Sequence, residues 1–227
     1  MLRLTTAVSR LATLRRAPAF AFSRELKTAE KQLAQSISTE LSYEEGEADA
    51  ESADFEQRFL ANNAWQLHAS EESARLELRR QLDRTTVRVL YSARMPEEEP
   101  EAPEGEQAEE MPEPEYDDFT VVVDNHNNAD KLVLQLVAFN GQIEVQSAFT
   151  TPDAESFAAN KAALFTTDRY TGPAFDSLDE RLQDAVLAYL KSLGVDEDLA
   201  VFVSSSAAAH EQKLYKKWLA DFKHFLA

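Results

Sequence analysis

The sequence predicts an α+β fold, with helices flanking an antiparallel sheet of about seven strands. Three observations carry that prediction. Apolar residues recur at helical period near the start, at period two through the middle, and at helical period again towards the end. Asn140-Gly141 stands between two alternating runs, where a tight hairpin turn needs positive φ at both central residues. A hydrophobic content of 44% with 13 Phe is ample for a packed core, and about 200 residues suffice for one ordinary domain.

In chain order, Lys27–Leu41 reads as a helix on the spacing of Leu26, Leu33, Ile37 and Leu41. A connector with seven acids and no base follows, formed by Glu44, Glu45, Glu47, Asp49, Glu51, Asp54 and Glu56. Leu76, Leu78 and Leu82 then alternate with charged residues, as do Val87, Val89 and Tyr91, which predicts half-buried strands. The sheet is interrupted at 96–118. Residues 97–118 hold twelve acids (Glu97, Glu98, Glu99, Glu101, Glu104, Glu106, Glu109, Glu110, Glu113, Glu115, Asp117 and Asp118) with four prolines and no base. Such a stretch repels itself and lacks ladder donors, so a disordered loop is expected.

Strands resume at Phe119–Asp124, at the apolar run Leu132–Phe139, and after the Asn-Gly turn at Ile143–Val145, with a further strand expected around 162–167. Ser177-Leu-Asp-Glu180 has the form of a capping box. The stripe Leu178, Leu182, Val186, Tyr189, Leu190 and Leu193 follows it, closed by Gly194 as a C′ glycine. A last helical region spans Glu197 to Leu226, with an expected break near Ser204–Ser206. Its Leu214, Trp218, Phe222 and Phe225 line one side, and Lys213, Lys216, Lys217 and Lys223 the other. So aromatic a stripe needs a second surface, and the Leu33/Ile37 stripe of the first helix is the candidate.

Charge divides the chain in two. Residues 1–24 carry Arg3, Arg10, Arg15, Arg16 and Arg24, five hydroxyl residues and no acid, the composition of a mitochondrial transit peptide. The competing reading is a retained basic arm that binds anions. Processing is expected between Arg16 and Lys27, leaving 25–227 as a single acidic domain. The net charge of −18 would then become −23. No stretch approaches the ~20 apolar residues of a membrane span.

Three segments together resemble one family. They are Phe119-Thr-Val-Val-Val-Asp124, Leu132-Val-Leu-Gln-Leu-Val-Ala-Phe139, and Tyr170-Thr-Gly-Pro-Ala-Phe175 with Leu178-Asp179 and Leu182-Gln183. His210-Glu-Gln-Lys213, Tyr215, Trp218-Leu219 and Lys223 continue the pattern. The family is that of the mitochondrial acidic matrix proteins, also called the mitochondrial glycoprotein family, which includes the human complement-C1q-globular-head-binding protein. The resemblance implies a strongly twisted seven-stranded antiparallel sheet between N- and C-terminal helices, those helices packed as a pair, and a doughnut-shaped homotrimer in the mitochondrial matrix. It also implies links to mitochondrial translation, ribosome assembly and oxidative phosphorylation.

The residues exclude several kinds of chemistry. There is no Cys, no Gly-x-Ser-x-Gly, no P-loop and no dinucleotide fingerprint. His68, His126, His210 and His224 lie far apart, and no segment has the spacing of an EF-hand. No catalytic residue, metal site or cofactor is expected. Direct nucleic-acid binding is disfavoured, because phosphate contacts need a basic patch. An acidic body attracts basic proteins over about a Debye length of ~8 Å. The expectation is a non-catalytic, chaperone-like adaptor for basic mitochondrial proteins such as RNA-processing or RNA-editing enzymes and ribosomal proteins. The alternative is a structural protein whose acids buffer divalent cations.

Overall fold

A computed structural model describes residues 19–46, 50–93, 116–159 and 170–226. The chain divides into two compact units. The larger unit, Glu47–Trp218, holds a six-stranded sheet in which every neighbouring pair is antiparallel, in the simple order β1 to β6. The strands are β1 (Gln66–Ala69), β2 (Arg75–Leu82), β3 (Thr85–Ser92), β4 (Asp117–Asn125), β5 (Lys131–Phe139) and β6 (Gln142–Thr151). Helix α2 (Ala50–Asn63) precedes them. Helix α3 (Glu155–Ala159), a 3-10 turn (Phe175–Ser177), α4 (Glu180–Ser192) and α5 (Glu197–Phe225) follow.

Alternation decides which residues face the main core. Leu76 and Leu78 of β2 and Val87, Val89 and Tyr91 of β3 share one face with Phe119, Val121 and Val123 of β4. On that face they meet Phe59 of α2, Leu190 and Leu193 of α4, and Leu199, Phe202 and Val203 of α5. The Phe59 ring stacks on Phe202 with centroids 4.4 Å apart. The centres of β4 and β5 are buried on both faces. Val122 and Val133 point the other way, into a second cluster with Phe149, Ala154 and Phe157. This double burial explains the near-continuous apolar runs of these two strands.

Two turns depend on left-handed backbone. Asn140 (φ 48°) and Gly141 (φ 75°) make the expected hairpin between β5 and β6. Gly194 (φ 81°) ends α4, and a Cβ there would overlap Arg80 Nη1, the atom that donates to the Leu193 carbonyl (3.2 Å). The Arg80 guanidinium also lies 5.7 Å from the Trp65 ring centre. That arginine satisfies a carbonyl the helix end would leave open.

Several expectations need correction. Strand β1 was not anticipated, because four residues are too few for alternation to register. Six strands are seen among the described residues, and the strand expected at 162–167 lies outside them. The loop expected to run to Asp118 has ended by Asp117, which opens β4 with Asp118. Much of the acidic connector is helical, since α1 (Ala19–Gly46) runs past Glu45 and α2 begins at Ala50. The N-cap of α4 is Asp179, which accepts from the Arg181 N–H; Ser177 Oγ instead donates to the Ala174 carbonyl (2.6 Å). Finally, α5 does not break at Ser204–Ser206.

The smaller unit comprises Met1–Gly46 and Leu219–Ala227, so its described part is α1 with the last turns of α5. Ile37 and Leu219 are buried in it, whereas Leu33 is 40% and Phe225 83% exposed. Ser38, Thr39 and Ser42 donate their hydroxyls to carbonyls four residues back, which absorbs their polarity along α1.

Candidate partner-binding acids and the polar seam of the sheet

The acids singled out by the sequence fall on different parts of the chain. Glu97 to Glu115 lie outside the described residues, as do Glu47 and Asp49. Glu45 and Asp54 are exposed, and Glu44 is half-buried. Glu44 and Glu45 occupy the last turn of α1, which carries no base. A helix C-terminus carries partial negative charge, so these carboxylates add to a site that is already negative. Asp54 is paired along α2 with Arg58 (3.0 Å), both well exposed. For Glu51 the structure gives only a place on α2.

Asp117 and Glu56 point inward instead. Asp117 is only 9% exposed and accepts a hydrogen bond from Ser204 Oγ of α5. Glu56 is half-buried, and its Oε1 is fully enclosed without a hydrogen bond, as is Ser205 Oγ. Burial pushes the Glu56 carboxyl above the usual carboxylate range, against the opposing pull of Lys213 and Ser205. One residue further along α5, Ser206 Oγ donates to the Phe202 carbonyl (2.6 Å), so Tyr91 must be the donor in its 2.8 Å contact with Ser206. Burial raises the Tyr91 phenol well above its ordinary value. His210 Nε2 donates to the Ser73 carbonyl at 2.8 Å.

Three consecutive serines therefore face β4, α2 and β3 in turn. Sequence reading took the serine run as a helix break, because Ser is a poor helix former. Ser204 and Ser206 instead supply hydroxyls to Asp117 and Tyr91 where α5 crosses the sheet. The available signal was Tyr91, which ends an otherwise apolar alternation with a phenol that needs a partner.

The opposite face of the sheet holds a charged cluster. Arg88 of β3 bonds Glu77 of β2 (2.9 Å) and Glu155 of α3, and Arg79 adds a bond to Glu77 (2.8 Å). Burial raises the Glu77 pKa, but hydrogen bonds from Arg88 and Arg79 outweigh it and hold the carboxyl below its ordinary value. The two carboxylates raise the Arg88 pKa despite desolvation. A groove of about 570 Å³ opens here, lined by His68, Arg75, Glu77, Arg88 and Glu155 among others, but its central arginine is already bound by acids of the chain itself. Among the described residues no group of His, Cys, Asp and Glu is placed to hold a metal ion, and no helix is long and apolar enough to cross a membrane.

Of the proposed packing residues, Ile37 is buried, and Leu214 and Phe222 are half-buried. Trp218 is 55% exposed with its ring stacked near Tyr215 (6.0 Å). Leu33, Trp218 and Phe225 thus keep much apolar surface uncovered within one chain.

An antiparallel meander packed under helices, with an excess of acids, defines the class as an acidic α+β protein. Residues 37–226 match the model of the mitochondrial glycoprotein family, MAM33, and the chain belongs to that family. It is 29% identical over 129 residues to the mitochondrial acidic protein mam33 of Schizosaccharomyces pombe, a match covering 54% of this chain and 48% of that one. The chain thus spans about half the length of that relative. Among solved structures it is similar to a Leishmania major protein described as a sequence homologue of human p32 of unknown function. The TM-score is 0.67 at 20% identity, covering 88% of this chain and 99% of that one. It is also similar to the Trypanosoma brucei p22 protein, with a TM-score of 0.66 at 17% identity, covering 88% and 100%. These structures share the fold. The family and the yeast relative point to the mitochondrial matrix as the compartment.

Proposed function

We propose that this chain is a non-catalytic acidic adaptor of the mitochondrial matrix, assembled as a homotrimer. It holds basic segments of RNA-processing, RNA-editing or ribosomal proteins and so supports mitochondrial translation and oxidative phosphorylation. On this reading residues 1–24 are the import address, and the acids at 97–115, with Glu44, Glu45 and Asp54 as a second acidic segment, are the candidate contact residues. The carrying observation is the placement of Glu44 and Glu45 at the carbonyl end of α1 with no base in that turn. Such an end gains from a cation brought by a partner. The exposed Leu33, Trp218 and Phe225 support assembly, since copies of the chain would cover them.

The test is capture of partners from matrix extract by the tagged mature chain across a salt series, with light scattering for the assembly state. Basic proteins are expected to bind at low salt and elute as salt rises. Replacement of the acids at 97–115 by Gln should abolish their capture. Partners retained at high salt, or captured equally by the neutralised chain, would refute the electrostatic reading.

A further inference from the structure

We propose that Tyr116 and Phe139 form an aromatic shelf for an arginine of a basic partner segment, with Asp118 and Glu144 as the carboxylates beside it. The shelf rests on the adaptor function proposed above and adds to it a reason to choose arginine over lysine. Strand register supplies the geometry. Asp117 pairs with Ala138 and Asp118 with Val137 across β4 and β5. Val137 pairs in turn with Glu144 of β6, and Phe139 with Gln142 beside the Asn140-Gly141 turn. Ala138, Ile143 and Val145 pack on the main core. Alternation therefore turns Asp118, Val137, Phe139 and Glu144 to the opposite face of the sheet. Tyr116, one residue before β4, lies on that side, its ring stacked on Phe139 with centroids 4.9 Å apart and planes at 28°.

The shelf is held in place but left open. Asp117, next to Tyr116, is buried and accepts a hydrogen bond from Ser204 of α5, which ties the backbone beside the ring to the packed body. Tyr116 nevertheless keeps 57% of its surface exposed, and Phe139 is half-buried. Asp118 and Glu144 are both exposed and stand on either side of Val137. Among the described residues Glu144 has no ion pair. Strands lie about 4.8 Å apart, and residues on one face about 7 Å apart along a strand, so each carboxylate is within reach of a long side chain resting on the Tyr116 ring. The chain also arrives at Tyr116 directly from the acid run that ends at Glu115.

An aromatic face bordered by carboxylates suits a cation with a flat, weakly hydrated surface. Arginine is such a cation: its guanidinium stacks on a ring while its fork of donors meets a carboxylate. The lysine ammonium is compact and more strongly hydrated. The net charge of the molecule draws both alike, and the shelf favours arginine.

The experiment compares two peptides of equal length and charge, one with Arg and one with Lys at every basic position, by fluorescence anisotropy on the full chain. The arginine peptide should bind about two- to fivefold more tightly, the size of an exposed cation–π contact. Tyr116→Phe should keep that preference. Tyr116→Leu should erase it, with the lysine-peptide affinity and the thermal transition unchanged. Glu144→Gln should weaken the arginine peptide more than the lysine peptide. Equal affinities in the wild type, or a preference that survives Tyr116→Leu, overturn the shelf. A Tyr116→Leu chain with a changed assembly mass in light scattering and an intact preference assigns the shelf to a second copy of the chain, and overturns the proposal equally. Binding that is salt-sensitive but blind to the choice of base counts against the shelf alone, whereas a chain that binds neither peptide at low salt refutes the adaptor reading as well.

Discussion

Asp54 and Glu56 sit two residues apart on α2 and belong to different worlds. Asp54 is exposed and balanced by a neighbouring arginine on its own helix, whereas Glu56 is half-buried with its Oε1 enclosed and Ser205 and Lys213 of α5 acting on it. Across the sheet, Glu77 is half-buried and receives hydrogen bonds from two arginines. Burial acts on Glu56 and Glu77 in the same direction, and the partners decide the outcome: one is held towards its neutral form and the other towards its charged form. A net charge of −18 is therefore a poor guide to where charge is available. On the proposed function the outward acids would define what the molecule attracts, while the inward ones are engaged within the fold.

The sharpest way to break this contrast is to damage the inward side. Phe202→Ala should cost about 3–5 kcal/mol in denaturant unfolding, because the stack on Phe59 is lost and a cavity remains. A cost below about 1 kcal/mol would mean that α2 does not depend on this contact. Next in size, Ser206→Ala leaves the buried Tyr91 hydroxyl without its acceptor and should cost about 1–3 kcal/mol. Adding Tyr91→Phe should recover much of that loss, and a double variant no better than the single would show the pair is not coupled.

A third prediction uses pH. Glu77, whose folded pKa is depressed, contributes stability that is present above its unfolded pKa and lost as pH falls through the folded value. Glu77→Gln should therefore flatten the acid limb of the stability curve, whereas Glu56→Gln removes a carboxyl whose shift acts with the opposite sign. The same limb flattened by both would erase the distinction between the two carboxylates. The smallest effect belongs to the outward acids: Glu44→Gln and Glu45→Gln should each raise stability by about 0.3–1 kcal/mol, since each removes a charge unfavourable to the helix end. Thermal unfolding at low ionic strength would detect it, and a loss of stability would mean those acids are satisfied within the molecule.

Much of the architecture was legible because its signals are local. The Asn140-Gly141 turn, the Gly194 terminus and the double-sided burial of β4 and β5 all follow from short stretches of sequence. The acidic segments were legible as charge but not as placement. Asp117 follows a run of prolines and acids in the chain, yet its strand pairing with β5 and its bond to Ser204 come from residues 20 to 90 positions away. Glu56 could not be told from Asp54 without knowing which face of α2 meets Phe202. Strand β1 offered only four residues, and the serine run of α5 was misread because helix propensity is local while its partners are on the sheet. The sequence thus reported composition faithfully and orientation poorly.

The central claim is that the outward acids, rather than a shaped cavity, hold the partner. Its most direct test is the affinity of the mature chain for a synthetic Lys- and Arg-rich peptide, measured by fluorescence anisotropy as salt is raised. Binding should weaken steeply and continuously with salt, and Gln replacement at 97–115 together with Glu44 and Glu45 should remove it while the thermal transition is preserved. Affinity that is indifferent to salt, or that survives in the neutralised chain, would contradict the account.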